Sequence, residues 1–250
     1  MSLFSKIFNK PRLLDEADLS VLAADMHSHL IPGIDDGSPT MADTLALLDA
    51  FRHHGYQKVV TTPHIMSDFY RNTSDVIRRG LDEVREASHQ AGFKMEIEAA
   101  AEYYIDDYFE QLIAKKDILT IGDNYVLIEM SFVSSPPMLG KVTFDLQMAG
   151  YKPILAHPER YMYWHKEWDK YEGMMDRDID LQVNINSLSG AYGPEVAKVA
   201  ERLIQEGMVS WLGTDCHHMV HMEMMHQSRR HPALHKALES GLLKNKTLLG

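Results

Sequence analysis

Cysteine is nearly absent from this chain. A single one, Cys216, stands among 250 residues, so no intrachain disulfide framework can brace the fold. That fits a reducing compartment, and a cytoplasmic protein is the expectation. Long apolar runs are also missing: no window approaches the roughly 18 apolar residues that a membrane-spanning helix needs. Residues 1–20 lack the continuous apolar stretch of a signal peptide. They are read as an N-terminal extension, whose Leu3-Phe4-Ser5-Lys6-Ile7-Phe8 packs or frays rather than forming an amphipathic arm. Positive charge is scarce too. Lys and Arg number 25 against 36 Asp and Glu, a formal net charge of −11. That argues against a sequence-independent grip on nucleic acid or on an anionic membrane. There is no low-complexity segment, long linker or close repeat, so residues 21–250 are expected to form one domain.

What the chain does have is 45% apolar residues, enough for a sizeable core, and a steady alternation of short apolar strands with helical patterns. Strands are expected at residues 21–26, 58–62, 95–101, 125–130, 153–156, 181–185 and 208–213. Helices are expected between Thr40 and Gly55, and at residues 73–91, 106–115, 139–149 and 194–206. Thr40 with Asp43 resembles a capping box, Pro194 opens its helix, and Gly92, Gly150 and Gly207 mark helix ends. The tail beyond His221 reads as helical without clear divisions. Seven strands interleaved with helices imply right-handed βαβ units and a parallel sheet. Apolar pattern alone leaves open whether that sheet is flat or closed into a barrel.

Polar residues at the strand ends favour the barrel. The first strand runs into Asp25-Met26-His27-Ser28-His29, with Gly33-Ile34-Asp35-Asp36-Gly37 just beyond. Two histidines one residue apart on an extended chain point to the same side, where both imidazoles can grip one ion. Later strands end at His64, Glu102, Glu129, His157 and Asp215-Cys216-His217; only the sixth ends without an ionisable group, at Asn184 and Asn186. Barrels of parallel strands collect reactive groups from many carboxyl ends at once, whereas an open sheet gathers them mainly at one switch point. So many ionisable groups in one cleft would suffer desolvation and repulsion unless divalent cations offset both. Nitrogen and oxygen donors without cysteine suit Mn, Fe, Zn or Mg.

The ordered motifs DMHSHLIPGIDDG (25–37), TTPH (61–64), AAAEYY (99–104), VLIEMS (126–131), ILAHPERY (154–161), LQVNINS (181–187) and GTDCH (213–217) carry a family resemblance. The chain resembles the polymerase-and-histidinol-phosphatase (PHP) superfamily of metallophosphoesterases. Within it, the chain is similar to the capsule-associated, CpsB-like bacterial protein tyrosine phosphatases. The resemblance implies a distorted seven-stranded (β/α)7 TIM-like barrel and nine metal ligands: His27, His29, Asp36, His64, Glu102, Glu129, His157, Asp215 and His217. His27, His29, Glu102 and Asp215 would hold one ion, and Glu102 would bridge to a second held by Glu129 and His157. Asp36, His64 and His217 would hold a third. Asp35 rivals Asp36, since one residue of register decides which carboxylate faces inward. Two or three divalent ions are implied, manganese or iron favoured over zinc or magnesium.

The implied reaction is hydrolysis of a phosphate monoester by water bridging two ions, with no covalent enzyme intermediate. Arg160 is the candidate phosphate clamp, because a guanidinium matches two phosphate oxygens at once. His29 or His64 would assist the leaving tyrosyl oxygen. The implied substrate is the phosphorylated tail of a bacterial tyrosine kinase that controls exopolysaccharide assembly. The alternatives are a phosphatase acting on a small metabolite such as histidinol phosphate, and a catalytically weak phosphotyrosine-binding regulator. One departure from the family pattern stands out. An arginine a few residues beyond the final Asp-x-His is replaced here by His218-Met219-Val220-His221-Met222, leaving Arg71, Arg229 or Arg230 as substitutes. Cys216 has no phosphate-binding loop around it and is read as filler. Tyr103, Tyr104, Tyr161, Tyr163 and the methionines of the tail are read as packing.

Overall fold

The computed structural model describes residues 13–249, so the segment at residues 3–8 lies outside the described residues. The strands are β1 (Ala24–Asp25), β2 (Lys58–Thr61), β3 (His64–Ile65), β4 (Glu96–Ala99), β5 (Glu102–Tyr104), β6 (Tyr125–Glu129), β7 (Lys152–Ala156), β8 (Asp180–Asn184) and β9 (Trp211–Gly213). All pair in parallel, in a three-stranded sheet β1-β2-β4 and a six-stranded sheet β3-β5-β6-β7-β8-β9. Each expected strand has a counterpart, but the described residues hold nine strands rather than seven. The extra two, β3 and β5, follow interruptions at Thr62-Pro63 and Ala100-Ala101. Proline has no N–H to give to a ladder, which is why the second strand breaks there.

Backbone hydrogen bonds nevertheless cross the breaks. Ala100 N–H donates to the Thr61 carbonyl at 2.9 Å, and Glu102 N–H to the Pro63 carbonyl at 3.2 Å. At the other edge, the segments that follow β1 and β9 meet. Asp215 N–H donates to the His27 carbonyl at 2.8 Å and His29 N–H to the Cys216 carbonyl at 2.9 Å. Ser28 and Cys216 form a parallel bridge.

Period-two alternation divides the core. Ala24, Met26, Val60, Leu127, Ile154 and Trp211, drawn from both sheets, form one enclosed cluster. Their strand neighbours Val126, Ile128, Leu155, Leu181 and Leu212 join the larger cluster with the helices. The end of the chain closes the amino-terminal side of the strands. Leu248 enters the enclosed cluster, and Lys58 Nζ donates to its carbonyl at 2.8 Å while pairing with Glu96 and Glu98. Asn245 ties β1 to β9: its amide donates to the Ala24 and Leu212 carbonyls at 3.1 and 2.7 Å and accepts from Leu212 N–H at 3.1 Å.

The helices are α1 (Met41–His53), α2 (Ser74–Gln90), α3 (Asp107–Lys115), α4 (Leu139–Met148), α5 (Asp169–Met175), α6 (Pro194–Gln205), α7 (Met219–Ser228) and α8 (Pro232–Glu239). Side-chain oxygens of Thr40, Thr73 and Asp106 accept from backbone N–H groups at the starts of α1, α2 and α3. Gly150, at φ 90°, takes the left-handed conformation that turns the chain from α4 toward β7. The sequence gives no signal for α5, a seven-residue helix without a side-chain cap. Among the described residues, no helix is long and apolar enough to cross a membrane.

Asn245 satisfies three backbone groups in a buried seam, so Asn245→Ala should destabilise the protein by about 2–4 kcal/mol. Urea unfolding would measure this, and an unchanged midpoint would show that the seam is held by something else.

Candidate metal centre

Because every strand runs the same way, the carboxyl ends gather at one end of the fold. There the nine residues expected as ligands come together. Four overlapping groups have ligand atoms all within 4.8 Å of one another: His29, Asp36, His64 and His217; His27, His29 and Glu102; His27, His157 and Asp215; and His64, Glu102 and Glu129. Glu102 sits at the centre. Its Oε2 lies 3.2 Å from both His27 Nε2 and His64 Nδ1 and 3.4 Å from His29 Nε2, while Oε1 lies 3.1 Å from His157 Nε2.

A chain of amides sets the ring of His27. Asn184 Nδ2 donates to Asp215 Oδ2 at 2.7 Å, so Asn184 Oδ1 is left to accept from Gln182 Nε2 at 2.8 Å. Gln182 Oε1 then accepts from His27 Nδ1 at 2.8 Å, which puts the proton on Nδ1 and leaves Nε2 facing the other donors. Asp35 does the same for His29. Its Oδ2 accepts from His29 Nδ1 at 2.7 Å and from His64 N–H at 3.1 Å, and Oδ1 accepts from Gly37 N–H. Asp35 is thus turned away from the cluster. Its neighbour Asp36 is half exposed, with Oδ1 3.5 Å from His64 Nε2 and 3.6 Å from His217 Nε2.

Two of the donors sit on strained backbone. His157 has φ 32° and Asp215 φ 49°, values that residues other than glycine adopt at a cost. Asp215 divides its carboxylate: Oδ1 faces His27, His29 and His217, and Oδ2 accepts from Arg160 Nη1 at 2.8 Å.

The electrostatics fit a cation site. Burial and the charge of Glu102 push the Glu129 carboxyl well above its ordinary range. Burial also opposes ionisation of Glu102, but the charges of His27 and His64 hold it well below its ordinary range. Burial, then the Arg160 charge, lowers His157 to about 4, leaving a neutral imidazole of the kind a metal takes. Nδ1 of His157 is buried without a hydrogen-bond partner. Mixed imidazole and carboxylate donors at this spacing suit divalent first-row metals.

The cluster opens into a pocket of about 310 Å³ lined by Asp36, His64, Glu102, Glu129, His157, Asp215 and His217 together with Phe132, Arg160, Tyr192, His218 and His221. His29, which lies beneath, does not line it. None of Arg71, Arg229 and Arg230 lines it either. Arg71 bonds the Ser67 carbonyl, Arg229 the Ala17 carbonyl and Glu16, and Arg230 the Leu14 carbonyl. Tyr103 and Tyr161 are buried, their hydroxyls accepting from Leu119 and Met130 N–H, while the Tyr163 hydroxyl donates to the Ser131 carbonyl. Cys216 is buried in the outer core. Sequence reasoning missed Phe132 and Tyr192, which carry no motif of their own. The Gly190 and Gly193 that bracket Tyr192 were the available signal.

The family profile described as "Capsular polysaccharide synthesis, CpsB/CapC" matches residues 23–245. The chain is 26% identical over 196 residues to "Tyrosine-protein phosphatase YwqE" of Bacillus subtilis, covering 78% of this chain and 77% of that protein. It is 25% identical over 230 residues to "Putative tyrosine-protein phosphatase CapC" of Staphylococcus aureus, covering 90% of each. Its fold matches a solved structure from a study of YwqE from Bacillus subtilis and CpsB from Streptococcus pneumoniae, described as "unique metal-dependent tyrosine phosphatases". That match has a TM-score of 0.78 at 24% identity and covers 90% of both chains.

Two predictions arise from this site. His64→Ala and His157→Ala should each lose bound metal by elemental analysis while keeping their circular dichroism. Asp35→Asn, which keeps every donor, should weaken metal binding by about 10- to 100-fold. Full metal retention in both alanine variants would refute the ligand assignment. The second concerns Glu159, whose carboxyl is raised by burial to about 7, with Oε1 bonded to Asn184 N–H and Ser187 while Oε2 has no partner. The folded state therefore holds a proton that the unfolded chain releases near pH 4.5, so stability falls as pH rises from about 4.5 through 7. Glu159→Gln should gain on the wild type by up to about 3 kcal/mol across that window. A pH-independent difference in urea unfolding would contradict this.

Proposed function

The chain belongs to the capsular polysaccharide synthesis CpsB/CapC family, and from that premise we propose that it is a metal-dependent protein-tyrosine phosphatase, a phosphoric monoester hydrolase. The observation that carries the reading is the meeting of nine imidazole and carboxylate donors around a pocket whose wall bears Arg160. His27, His29, Asp36, His64, Glu102, Glu129, His157, Asp215 and His217 would hold two or three divalent cations, manganese or iron by preference. Glu102, whose two oxygens face different histidines, would be shared between ions. When bound, such cations neutralise phosphoryl charge and make water acidic enough to attack near neutral pH.

The chain's own side chains orient and hold. Arg160 presents a planar fork that can pair with two phosphoryl oxygens. Gln182 and Asp35 keep the Nε2 atoms of His27 and His29 turned into the cluster, where the cations would sit. Of the two histidines expected to assist a leaving tyrosyl oxygen, His64 lines the pocket and His29 does not, so that role falls to His64. The substrate we propose is a tyrosine-phosphorylated protein, the tail of a bacterial tyrosine kinase that governs exopolysaccharide assembly. The activities named for the YwqE and CapC relatives support the phosphotyrosine part of that reading.

We also read residues 21–250 as one domain and the two sheets as one distorted seven-stave (β/α)7 barrel. Ladder bonds across both seams and the single enclosed apolar cluster support this.

The purified protein should release phosphate from a phosphotyrosyl peptide in preference to histidinol phosphate, lose that activity in chelator and regain it with divalent metal. Arg160→Ala should lower kcat/KM by about 10²- to 10³-fold. Preference for histidinol phosphate, or phosphopeptide binding with no metal-dependent phosphate release, would overturn the reading.

A further inference from the structure

Arg160 is the only arginine lining the pocket among the described residues, and the way it is held singles out two further side chains. Its guanidinium carbon lies 4.7 Å from the centre of the Phe132 ring and 4.5 Å from that of Tyr192. Its one hydrogen bond among the described residues runs from Nη1 to Asp215 Oδ2, at 2.8 Å. A single bond of that kind fixes one nitrogen and leaves the planar group free to swing about it. Two ring faces beneath the guanidinium carbon restrict that freedom, and a guanidinium favours them because the ring quadrupole attracts the cation.

Both rings are anchored from elsewhere in the fold. Phe132, two residues beyond the buried Met130, stacks on His157 at 5.7 Å with 24° between the planes and leans on Tyr161 at 5.8 Å. Tyr192 comes from the link between the 3-10 turn Ile185–Ser189 and α6. Gly190 and Gly193 bracket it at φ 81° and 104°, conformations that residues with a Cβ rarely adopt. The two glycines thus let a short link swing a tyrosine over the pocket.

We propose that Phe132 and Tyr192 are positioning residues for Arg160. Together they clasp the guanidinium so that the N–H groups Asp215 leaves free are presented to the phosphoryl group. The inference rests on the phosphatase reading for what the pocket binds, but phosphate binding itself can be measured without turnover. Because the rings act through Arg160, their contribution to phosphate affinity must vanish when Arg160 is removed. A tyrosine acting through its ring rather than its hydroxyl must also be replaceable by phenylalanine.

The experiment is calorimetric titration of the metal-loaded protein with inorganic phosphate, with metal content checked for each variant. Phe132→Ala and Tyr192→Ala should each weaken phosphate binding by about 5- to 20-fold, and Tyr192→Phe should stay within about twofold. In an Arg160→Ala background, Tyr192→Ala should have no further effect. The proposal is overturned if the Tyr192→Ala loss persists at full size in that background, if Tyr192→Phe is as weak as Tyr192→Ala, or if the wild type binds no phosphate. Coupling between Arg160 and the rings without turnover of a phosphotyrosyl peptide would sink the phosphatase reading and leave this one standing. Turnover without coupling would do the reverse.

Discussion

Two buried carboxylates, Glu102 and Glu129, set the terms for everything around them. Glu129 reaches to 3.8 Å from the same His64 nitrogen that lies 3.2 Å from Glu102. In so dry a place both cannot carry charge without a countercharge, which is why one carboxyl is held down and the other is pushed up. Mutual attraction does not bring them there. The sheet does: β5 and β6 pair in a register that sets Glu102 opposite Leu127 and Tyr104 opposite Glu129, so the ladder carries both acids to one face. Hydrogen bonds along the strands thus supply the free energy that keeps repelling groups together. The strained φ angles of His157 and Asp215 are maintained in the same way, each at about 1–3 kcal/mol, because the strand ends leave them no other path.

The same strands are apolar lower down and polar at the top, so the enclosed core and the donor cluster are successive layers of one structure. β8 departs from this. Where its neighbours β7 and β9 place Ala156 and Trp211 inside, it places Gln182, with Asn184 two residues further on, both fully buried. Their place is explained by the relay they complete, from the Asp215 carboxylate through two amides to His27 Nδ1. A buried amide is tolerated only when its hydrogen bonds are made, and here they also decide which nitrogen of His27 is free to bind. Asp35 performs the equivalent task for His29 from a loop.

The gathering of imidazoles and carboxylates at one end was legible because it rests on local rules. Apolar runs fixed the strands, the parallel direction followed from the alternation with helices, and each run ended on an imidazole or a carboxylate. The choice between Asp35 and Asp36 was not legible, because both lie in an irregular loop where period two gives no guide. Hydrogen bonds from His29, His64 and Gly37 decide it, and these depend on tertiary placement. Pro63 marked the break after β2, yet the short β3 beyond it had too few residues to register as a pattern. Phe132 and Tyr192 were invisible for a different reason. An aromatic residue in a loop reads as packing until the cation it covers is located, and Arg160 lies 28 and 32 positions away from them in sequence.

The pocket's charge makes metal and arginine interdependent. Of the nine donors, four are carboxylates, set in a chain that already carries a formal net charge of −11. Left to themselves, these groups repel a phosphate monoester, and Arg160 is partly neutralised by its bond to Asp215. Two divalent cations would cancel the four carboxylates and a third would leave an excess matching a dianionic ester. With Arg71, Arg229 and Arg230 engaged elsewhere, no second guanidinium lines the pocket among the described residues to supply that charge. In the proposed reaction, anion binding would therefore depend on the cations for its sign and on the plane of Arg160 for its direction. That division explains why the fold invests two aromatic rings in a single arginine.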